Sequence, residues 1–202
     1  GVLKGKRMQK GWIWWLALSG LAFAPLAIAS VDRLSAGING TRYATRSTEQ
    51  YSFQLGGFSG HFTEWHRKNI AYFDGLSATI RIDDIYGNEG DRWASIARIS
   101  LWEPGSADIQ PKWSLLLVGD RKKKVIRPEV LYDDKTYSLD AEFKLEQPIS
   151  LVFRVNPTGG FQVSLNGRAF DLPGEMKVGR VGLLASGLQV SVDPFEIEER
   201  IN

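Results

Sequence analysis

Apolar and polar residues alternate over short stretches through most of the chain, and this period of two is typical of β-strands. Ser77–Ile85 shows it clearly, with Ala78, Ile80 and Ile82 on the opposite face from Thr79, Arg81 and Asp83. Alternating or continuous apolar runs also cover Gln50–Leu55, Ala94–Trp102, Trp113–Val118, Val125–Leu131, Ile149–Asn156, Gly160–Leu165, Arg168–Leu172, Val178–Leu184 and Leu188–Ile197. No stretch after residue 31 keeps helical periodicity over ten residues.

Turn residues separate these runs. Asn166-Gly167 is the strongest short hairpin signal that a sequence offers, and Pro157-Thr158-Gly159-Gly160 marks the preceding turn. About ten to twelve short strands with such punctuation predict an antiparallel β-sandwich. We therefore expect a mainly β domain of the jelly-roll type over residues 51–202.

One long apolar segment precedes this domain. Gly11–Val31 has 21 residues and no charge, and a helix of that length spans roughly 30 Å, the thickness of a bilayer's hydrocarbon core. Aromatic side chains suited to the headgroup level stand at its amino end, namely Trp12, Trp14 and Trp15. Four basic residues and no acid come before it, namely Lys4, Lys6, Arg7 and Lys10. The pattern predicts a cytoplasmic tail over residues 1–10, a transmembrane signal-anchor helix over 11–31 and export of the remainder.

A cleaved signal peptide is the alternative interpretation of this segment. Ala27-Ile28-Ala29 before Ser30 fits the small-residue cleavage pattern. The apolar run is longer than the usual signal core of about 7–15 residues, which favours the uncleaved anchor. The polar stretch over residues 32–50 then becomes a juxtamembrane linker.

Charge and cysteine content indicate the compartment of the domain and the partners it is not expected to bind. The chain has 25 Lys and Arg against 23 Asp and Glu, and the tail holds four of the basic residues, so the exported part carries a net charge of −2. Nucleic-acid binding, which needs a basic face, is therefore not expected. The chain has no cysteine, which excludes thiol chemistry and favours a bacterial periplasmic domain over a disulfide-rich secreted one. We expect it at the bacterial inner membrane, with its amino terminus in the cytoplasm.

The carboxy-terminal third carries a resemblance to a known superfamily. The segments ISLVFRVNPTGGFQVSLNGRAFDLPG and GRVGLLASGLQVSVDPFEI resemble the hairpin and final strand pair of concanavalin A-like sandwiches of the laminin G-like and glucanase-like types. The glycoside hydrolases of that superfamily carry a Glu-x-Asp-x-(x)-Glu strand. The nearest acidic run, Asp193 to Glu199, is interrupted by Pro194, so the catalytic residues do not carry over and the chain is not expected to be an enzyme.

Two charged clusters are candidates for binding. IDDIYGNEGD groups the oxygen ligands that calcium prefers, in Asp83, Asp84, Asn88 and Asp91, although a solvated turn is the favoured interpretation and no cofactor is expected. Arg121, Lys122, Lys123 and Lys124 follow Gly119-Asp120 at a predicted hairpin turn. They suit phosphate headgroups or an acidic protein surface, and protecting a sheet edge is the simpler explanation.

Aromatic residues provide further candidates. Trp65 lies in GHFTEWHRKN, which we interpret as a loop packed on the sandwich or on a partner, because His61 and His66 are five positions apart and form no standard metal spacing with Glu64. Trp102 ends a predicted strand and is the first candidate for stacking on a sugar. The other members of a possible sugar platform on the concave face are Trp93, Trp113, Tyr132 and Tyr137, and packing in the core is the competing role.

These observations lead to a primary functional expectation and two alternatives. The primary one is a non-enzymatic accessory subunit, anchored in the bilayer by its helix, whose sandwich packs on a larger membrane protein complex such as a bioenergetic or photosynthetic assembly. The first alternative is a glycan-binding, lectin-like module of the cell envelope. A glycoside hydrolase is the least favoured.

Overall fold

Strands make up nearly all the regular structure in the computed structural model, which describes residues 28–32, 45–88, 91–155, 160–172 and 174–201. They are β1 (Ile28–Asp32), β2 (Thr45–Gly56), β3 (Phe62–Arg67), β4 (Phe73–Ile85), β5 (Ile96–Trp102), β6 (Trp113–Asp120), β7 (Val125–Tyr132), β8 (Lys135–Ser138), β9 (Phe143–Lys144), β10 (Ile149–Val155), β11 (Phe161–Leu165), β12 (Arg168–Leu172), β13 (Arg180–Ser186) and β14 (Leu188–Ile201). The mainly β, antiparallel class predicted from the sequence is confirmed.

The strands form two antiparallel sheets. The first has the order β1-β2-β14-β4-β10-β11-β12, and the second has the order β3-β13-β5-β6-β7-β8, with β9 paired to β7. Because side chains alternate between the faces of a strand, each sheet presents one apolar face to the other. Phe153 lies at the centre of the resulting core, with its ring 4.8 Å from that of Trp113 and 5.5 Å from that of Phe161.

Most of the predicted strands are present, with small shifts at their ends. The Asn166-Gly167 hairpin is confirmed between β11 and β12, and both residues have positive φ, 49° and 82°, as a two-residue hairpin turn requires. The turn at 157–159 lies outside the described residues.

Two strands extend into ranges that the sequence assigned to the helix and the linker. Residues 28–31, expected as the end of a helix, belong to β1, which pairs with β2 from Ile28↔Gln50 to Asp32↔Arg46. Residues 45–50, expected as linker, form the first half of β2, which is anchored along its length by pairing with β14. Residues 1–27 lie outside the described part of the chain, and with them the predicted anchor residues Lys4, Lys6, Arg7, Lys10, Trp12, Trp14 and Trp15.

Within the described ranges, no helix has the length and apolar character needed to cross a bilayer.

A charged network joins the two sheets at one edge. Arg67 on β3 donates hydrogen bonds to both carboxylate oxygens of Glu49 on β2, at 2.8 and 2.9 Å, and to Glu199 on β14 at 3.1 Å. The Tyr51 hydroxyl donates to Glu49 at 2.5 Å. The Arg67 hydrogen bonds hold the pKa of Glu49 below its usual value, and burial followed by the Glu49 contact raises the pKa of Tyr51 to about 12.

We expect Glu49→Gln to lower the free energy of unfolding at pH 7 by about 1–2 kcal/mol, the size of a charge-assisted hydrogen bond near a surface. Because the folded state lowers the pKa of Glu49, the stabilisation is present above the unfolded pKa and is lost as the pH falls through the folded one. Urea unfolding at pH 7 and at pH 3 should therefore show a difference between variant and wild type that shrinks in acid. Glu142→Gln, which removes an exposed pair with Arg127, is the control, and an equal loss for Glu49→Gln at both pH values would contradict this account.

Candidate functional site

A groove of about 370 Å³ lies on the outer face of the second sheet. Its floor is built by β3, β13 and β5, and residues 107–110 of the loop between β5 and β6 form one wall. Trp93 and Ala94, from the loop that precedes β5, close the other end. Its volume is within the range of small-ligand sites.

Strand register brings the groove side chains into rows. β13 lies between β3 and β5, and Leu184 is opposite Glu64 on one side and Arg98 on the other. Residues two positions apart share a face, so the rows on either side of this one belong to the same surface. Phe62, Ser186 and Ile96 form the row toward one end.

A histidine, a carboxylate and an arginine meet across this floor. His66 Nε2 lies 2.8 Å from Glu64 Oε1, and Arg98 Nη2 lies 3.8 Å from the same oxygen. Burial lowers the pKa of Arg98, and the charge of Glu64 partly offsets that effect. The arginine is thus a largely desolvated cation that shares one partly exposed carboxylate with a histidine.

A second arginine stacks on Trp102 at the other end of the groove. The Arg180 guanidinium carbon is 4.0 Å from the centre of the indole ring, a cation–π contact, and Arg180 Nη2 donates a hydrogen bond to the Asp108 carbonyl at 2.9 Å. The indole rests on Gly182, where a Cβ atom would come within 2.8 Å of the ring. Glycine at this position makes room for the stack.

Most of the buried polar atoms that lack a hydrogen-bond partner among the described residues belong to side chains that line the groove. Six buried side-chain nitrogen or oxygen atoms of the described residues have no hydrogen-bond partner, and five of these belong to residues that line the groove. The five are His66 Nδ1, Arg98 Nε, Trp102 Nε1, Arg180 Nε and Ser186 Oγ. A buried polar atom without a partner costs about 1–3 kcal/mol. These five atoms are themselves closed to solvent, so a ligand in the groove would contact the exposed parts of the side chains that carry them.

The spacing of the two arginines determines what shape of ligand could touch both. Arg180 on β13 is opposite Trp102 on β5, and Trp102 is four positions from Arg98. At roughly 3.3 Å per residue, the backbones of Arg98 and Trp102 are about 13 Å apart along β5. A ligand that runs from the Arg98 row to the Arg180 row of the groove is therefore extended along the strands. The donors on offer are planar guanidinium edges, which pair best with carboxylate or similar oxyanions. Chemically, the His66–Glu64 pair could bind hydroxyl groups or move a proton.

The predicted site residues divide between the groove, the core and the loops. Trp102 does end β5 and does line the groove, but it is only 2% exposed, and Arg180 covers its face. Trp65 is on β3, which is a strand and not the expected loop, and its ring packs between the sheets, 4.8 Å from the rings of Tyr51 and Phe53. Neither indole presents a free face to a sugar.

The other aromatic candidates do not assemble into one platform. Trp93 lies in the loop before β5, is 42% exposed and packs edge-on against Phe62, with 5.4 Å between the ring centres. Trp113 is a core residue. Tyr132 packs against Phe161 on the core side, and Tyr137 also packs against the core.

The acidic candidates for calcium are engaged with protein groups. Asp83 accepts hydrogen bonds from Arg81 and Ser191, and Asp84 accepts one from the backbone NH of Ile85. Asn88 Oδ1 accepts from Arg121 at 2.7 Å, and Asp91 accepts from Ser59 and from the Asn88 backbone NH. Among the described residues, no group of three or more His, Asp or Glu side chains is placed to hold a metal ion.

The basic candidates lie where the sequence predicted them. Residues 121–124 form the turn between β6 and β7, whose pairing begins at Asp120↔Val125, and all four side chains are exposed. They are at the end of the second sheet away from Trp102 and Arg180, and they do not line the groove.

Sequence reasoning missed Arg98 and Arg180 and did not bring His66 and Glu64 together. The alternation in Ala97–Leu101 places Arg98 and Ser100 on the face opposite the core residues. That outer face also carries the apolar side chains of Trp102 and Leu184, so its sequence pattern is not that of a solvent-exposed face. Glu64 and His66 are two positions apart, which places their side chains on the same face of β3. The spacing of five between His61 and His66 carries no such information.

No family model matches the chain, and no curated protein matches its sequence. Several solved structures are similar in fold. An alginate lyase from Alteromonas sp. 272 is 10% identical, with 86% of this chain and 95% of that chain covered and a TM-score of 0.49. A polysaccharide lyase of family 18 is 11% identical, with 72% and 82% covered and a TM-score of 0.49. The carbohydrate recognition domain of Emp46p in its potassium-bound form is 15% identical, with 85% and 87% covered and a TM-score of 0.43.

The antiparallel two-sheet topology is the β-sandwich architecture that the resemblance to concanavalin A-like domains predicted. Fold alone does not determine function, so the function is argued from the groove.

Proposed function

We propose that this chain is a glycan-binding domain whose groove on β3, β13 and β5 binds an extended, acidic saccharide. The observation that carries the proposal is that two incompletely paired guanidinium groups, those of Arg98 and Arg180, line this one groove. A saccharide offers hydroxyl groups that both donate and accept hydrogen bonds, which matches a mixture of guanidinium, indole, imidazole and hydroxyl groups.

The charge of the groove supports an acidic ligand. Arg180 has no carboxylate of the described residues within ion-pair distance, and Arg98 shares Glu64 with His66 at 3.8 Å. Guanidinium groups that are desolvated and incompletely paired gain most from a ligand carboxylate or sulfate.

Binding to a panel of polysaccharides tests this function. We expect the full chain to bind uronate-containing or sulfated polysaccharides more tightly than neutral ones, as measured by affinity electrophoresis and calorimetry. Arg180→Gln should weaken the binding about tenfold or more, since it removes a charged hydrogen bond. Arg127→Gln is the matched control, because Arg127 is on the same outer face but on β7, outside the groove, and it should bind like wild type. A chain that binds none of the acidic polysaccharides, or two variants with equal losses, would contradict the proposal.

The accessory-subunit hypothesis, the membrane anchor and the periplasmic location stay predictions. In the part of the chain that the structure describes, the groove has features that suit a saccharide, and no surface has equally specific features for a protein complex. A glycan-binding domain at a cell envelope agrees with the exported topology that the amino-terminal sequence predicts.

A further inference from the structure

Aromatic and basic side chains cluster at the end of the sandwich where β2, β4 and β6 finish. Three loops meet there, and their described residues are 57–61, 86–88 with 91–95, and 121–124. Phe58 is 59% exposed, Phe62 46% and Trp93 42%. We call this surface the tip and define it by Phe58, Phe62, Arg92, Trp93 and residues 121–124.

Contacts between the loops hold the tip together. The Phe58 ring lies 5.7 Å from the ring of Tyr86, and Arg121 donates a hydrogen bond to Asn88 Oδ1 at 2.7 Å. Ser59 donates to Asp91, which joins the first loop to the second. The three loops therefore form one surface, although they are far apart in the sequence.

The tip combines the two features by which proteins bind anionic membranes. Large aromatic rings exposed to water favour the headgroup level of a bilayer, where their apolar surface is buried. Clustered cations are attracted to anionic headgroups. The side chains of Arg92, Lys123 and Lys124 are exposed, and Asp120 accepts a hydrogen bond from the Lys123 backbone NH at 3.0 Å.

The direction of β1 provides an independent argument for a membrane on this side. β1 runs antiparallel to β2, with Ile28 opposite Gln50 and Asp32 opposite Arg46. β2 ends at Gly56, next to the first tip loop, so the amino end of β1 is directed toward the tip. In sequence, that amino end directly follows the uncharged residues Gly11–Ala27, most of the segment predicted to cross a bilayer.

We propose that the tip docks on an anionic lipid bilayer, with Phe58, Phe62 and Trp93 at the headgroup level and Arg92, Arg121, Lys123 and Lys124 facing the lipid phosphates. The groove extends from Phe62 along the strands toward Trp102 and Arg180, so docking at the tip leaves its far end directed away from the membrane. This orientation does not depend on the identity of the groove ligand.

A local fluorescence readout tests docking in the full chain. The chain has no cysteine, so His61→Cys, in the first tip loop, gives a single thiol for a bimane label. Lys135→Cys, exposed in the hairpin between β7 and β8 at the opposite end, is the matched control. Both proteins are bound to vesicles that contain a nitroxide-labelled lipid, with and without phosphatidylglycerol in phosphatidylcholine.

We expect the label at position 61 to be quenched at least about twofold more strongly in the anionic vesicles than the label at 135, with a loss of that difference at high salt. Replacing Arg121, Lys123 and Lys124 by Gln in the His61→Cys background should bring quenching down to the level in neutral lipid. Because the readout is local, insertion of the amino-terminal segment alone would not imitate the result. Equal quenching at positions 61 and 135, or quenching at 61 that is indifferent to lipid charge, would overturn the proposal.

Discussion

Arg98→Met is expected to weaken saccharide binding strongly while leaving the domain at least as stable as wild type. Arg98 is a largely buried cation whose Nε has no partner in the protein and whose nearest carboxylate oxygen, on Glu64, is 3.8 Å away. Burial opposes its charge. An apolar side chain of similar length removes that cost, and replacing a poorly paired buried charge in this way is often neutral or stabilising.

The two effects should be separable by experiment. We expect an affinity loss of about 100-fold or more, the usual result of deleting one partner of a buried charged hydrogen bond at an interface. The free energy of unfolding in urea should be unchanged or higher by about 1 kcal/mol. Glu64 keeps His66 as its partner at 2.8 Å, so the substitution leaves no carboxylate without a partner. A variant that is clearly less stable than wild type and still binds would show that Arg98 is structural.

Phe153→Ala should cause the largest loss of stability in the domain. The ring is fully buried between the sheets and lies within 4.8–6.0 Å of the rings of Trp113, Phe161 and Phe73. Removing such a side chain costs about 3–5 kcal/mol, through lost burial and the cavity left behind. In a domain of this size that corresponds to a fall in melting temperature of about 6–20 °C.

Val155 provides a control on the same strand. It is 38% exposed, and Val155→Ala should change the unfolding free energy by less than about 0.5 kcal/mol. Thermal and urea unfolding of both variants measure the contrast. Similar losses for the two substitutions would mean that the core is not centred on Phe153.

The sandwich could be predicted because its core follows the period of two. In β10 and β11, apolar residues occupy every second position and the partner sheet buries them, so local pattern and tertiary packing agree. The Asn166-Gly167 turn was equally predictable, since few residues adopt positive φ at low cost. The short strands β8 and β9 carry too few residues for any period to be visible.

β3 escaped prediction because its outer face is part of the groove. In FTEWHR, Phe62 on the outer face is apolar and Trp65 on the core face is flanked by His66 and Arg67, so the alternation expected of a half-buried strand is absent. The same reason hides the site. Arg98, Arg180 and His66 come from three strands and meet only through the order β3-β13-β5, which no local spacing encodes.

A double-mutant cycle between Arg98 and a ligand carboxylate tests whether the groove binds an anionic saccharide through this arginine. The dissociation constants of wild type and Arg98→Met are measured for an oligouronate and for the same oligosaccharide with its carboxyl groups reduced to alcohols. The account predicts that the substitution weakens binding of the oligouronate about 100-fold while affinity for the reduced saccharide changes little, a coupling of about 2–3 kcal/mol. Equal changes for the two ligands would contradict an anionic saccharide bound to Arg98 in this groove.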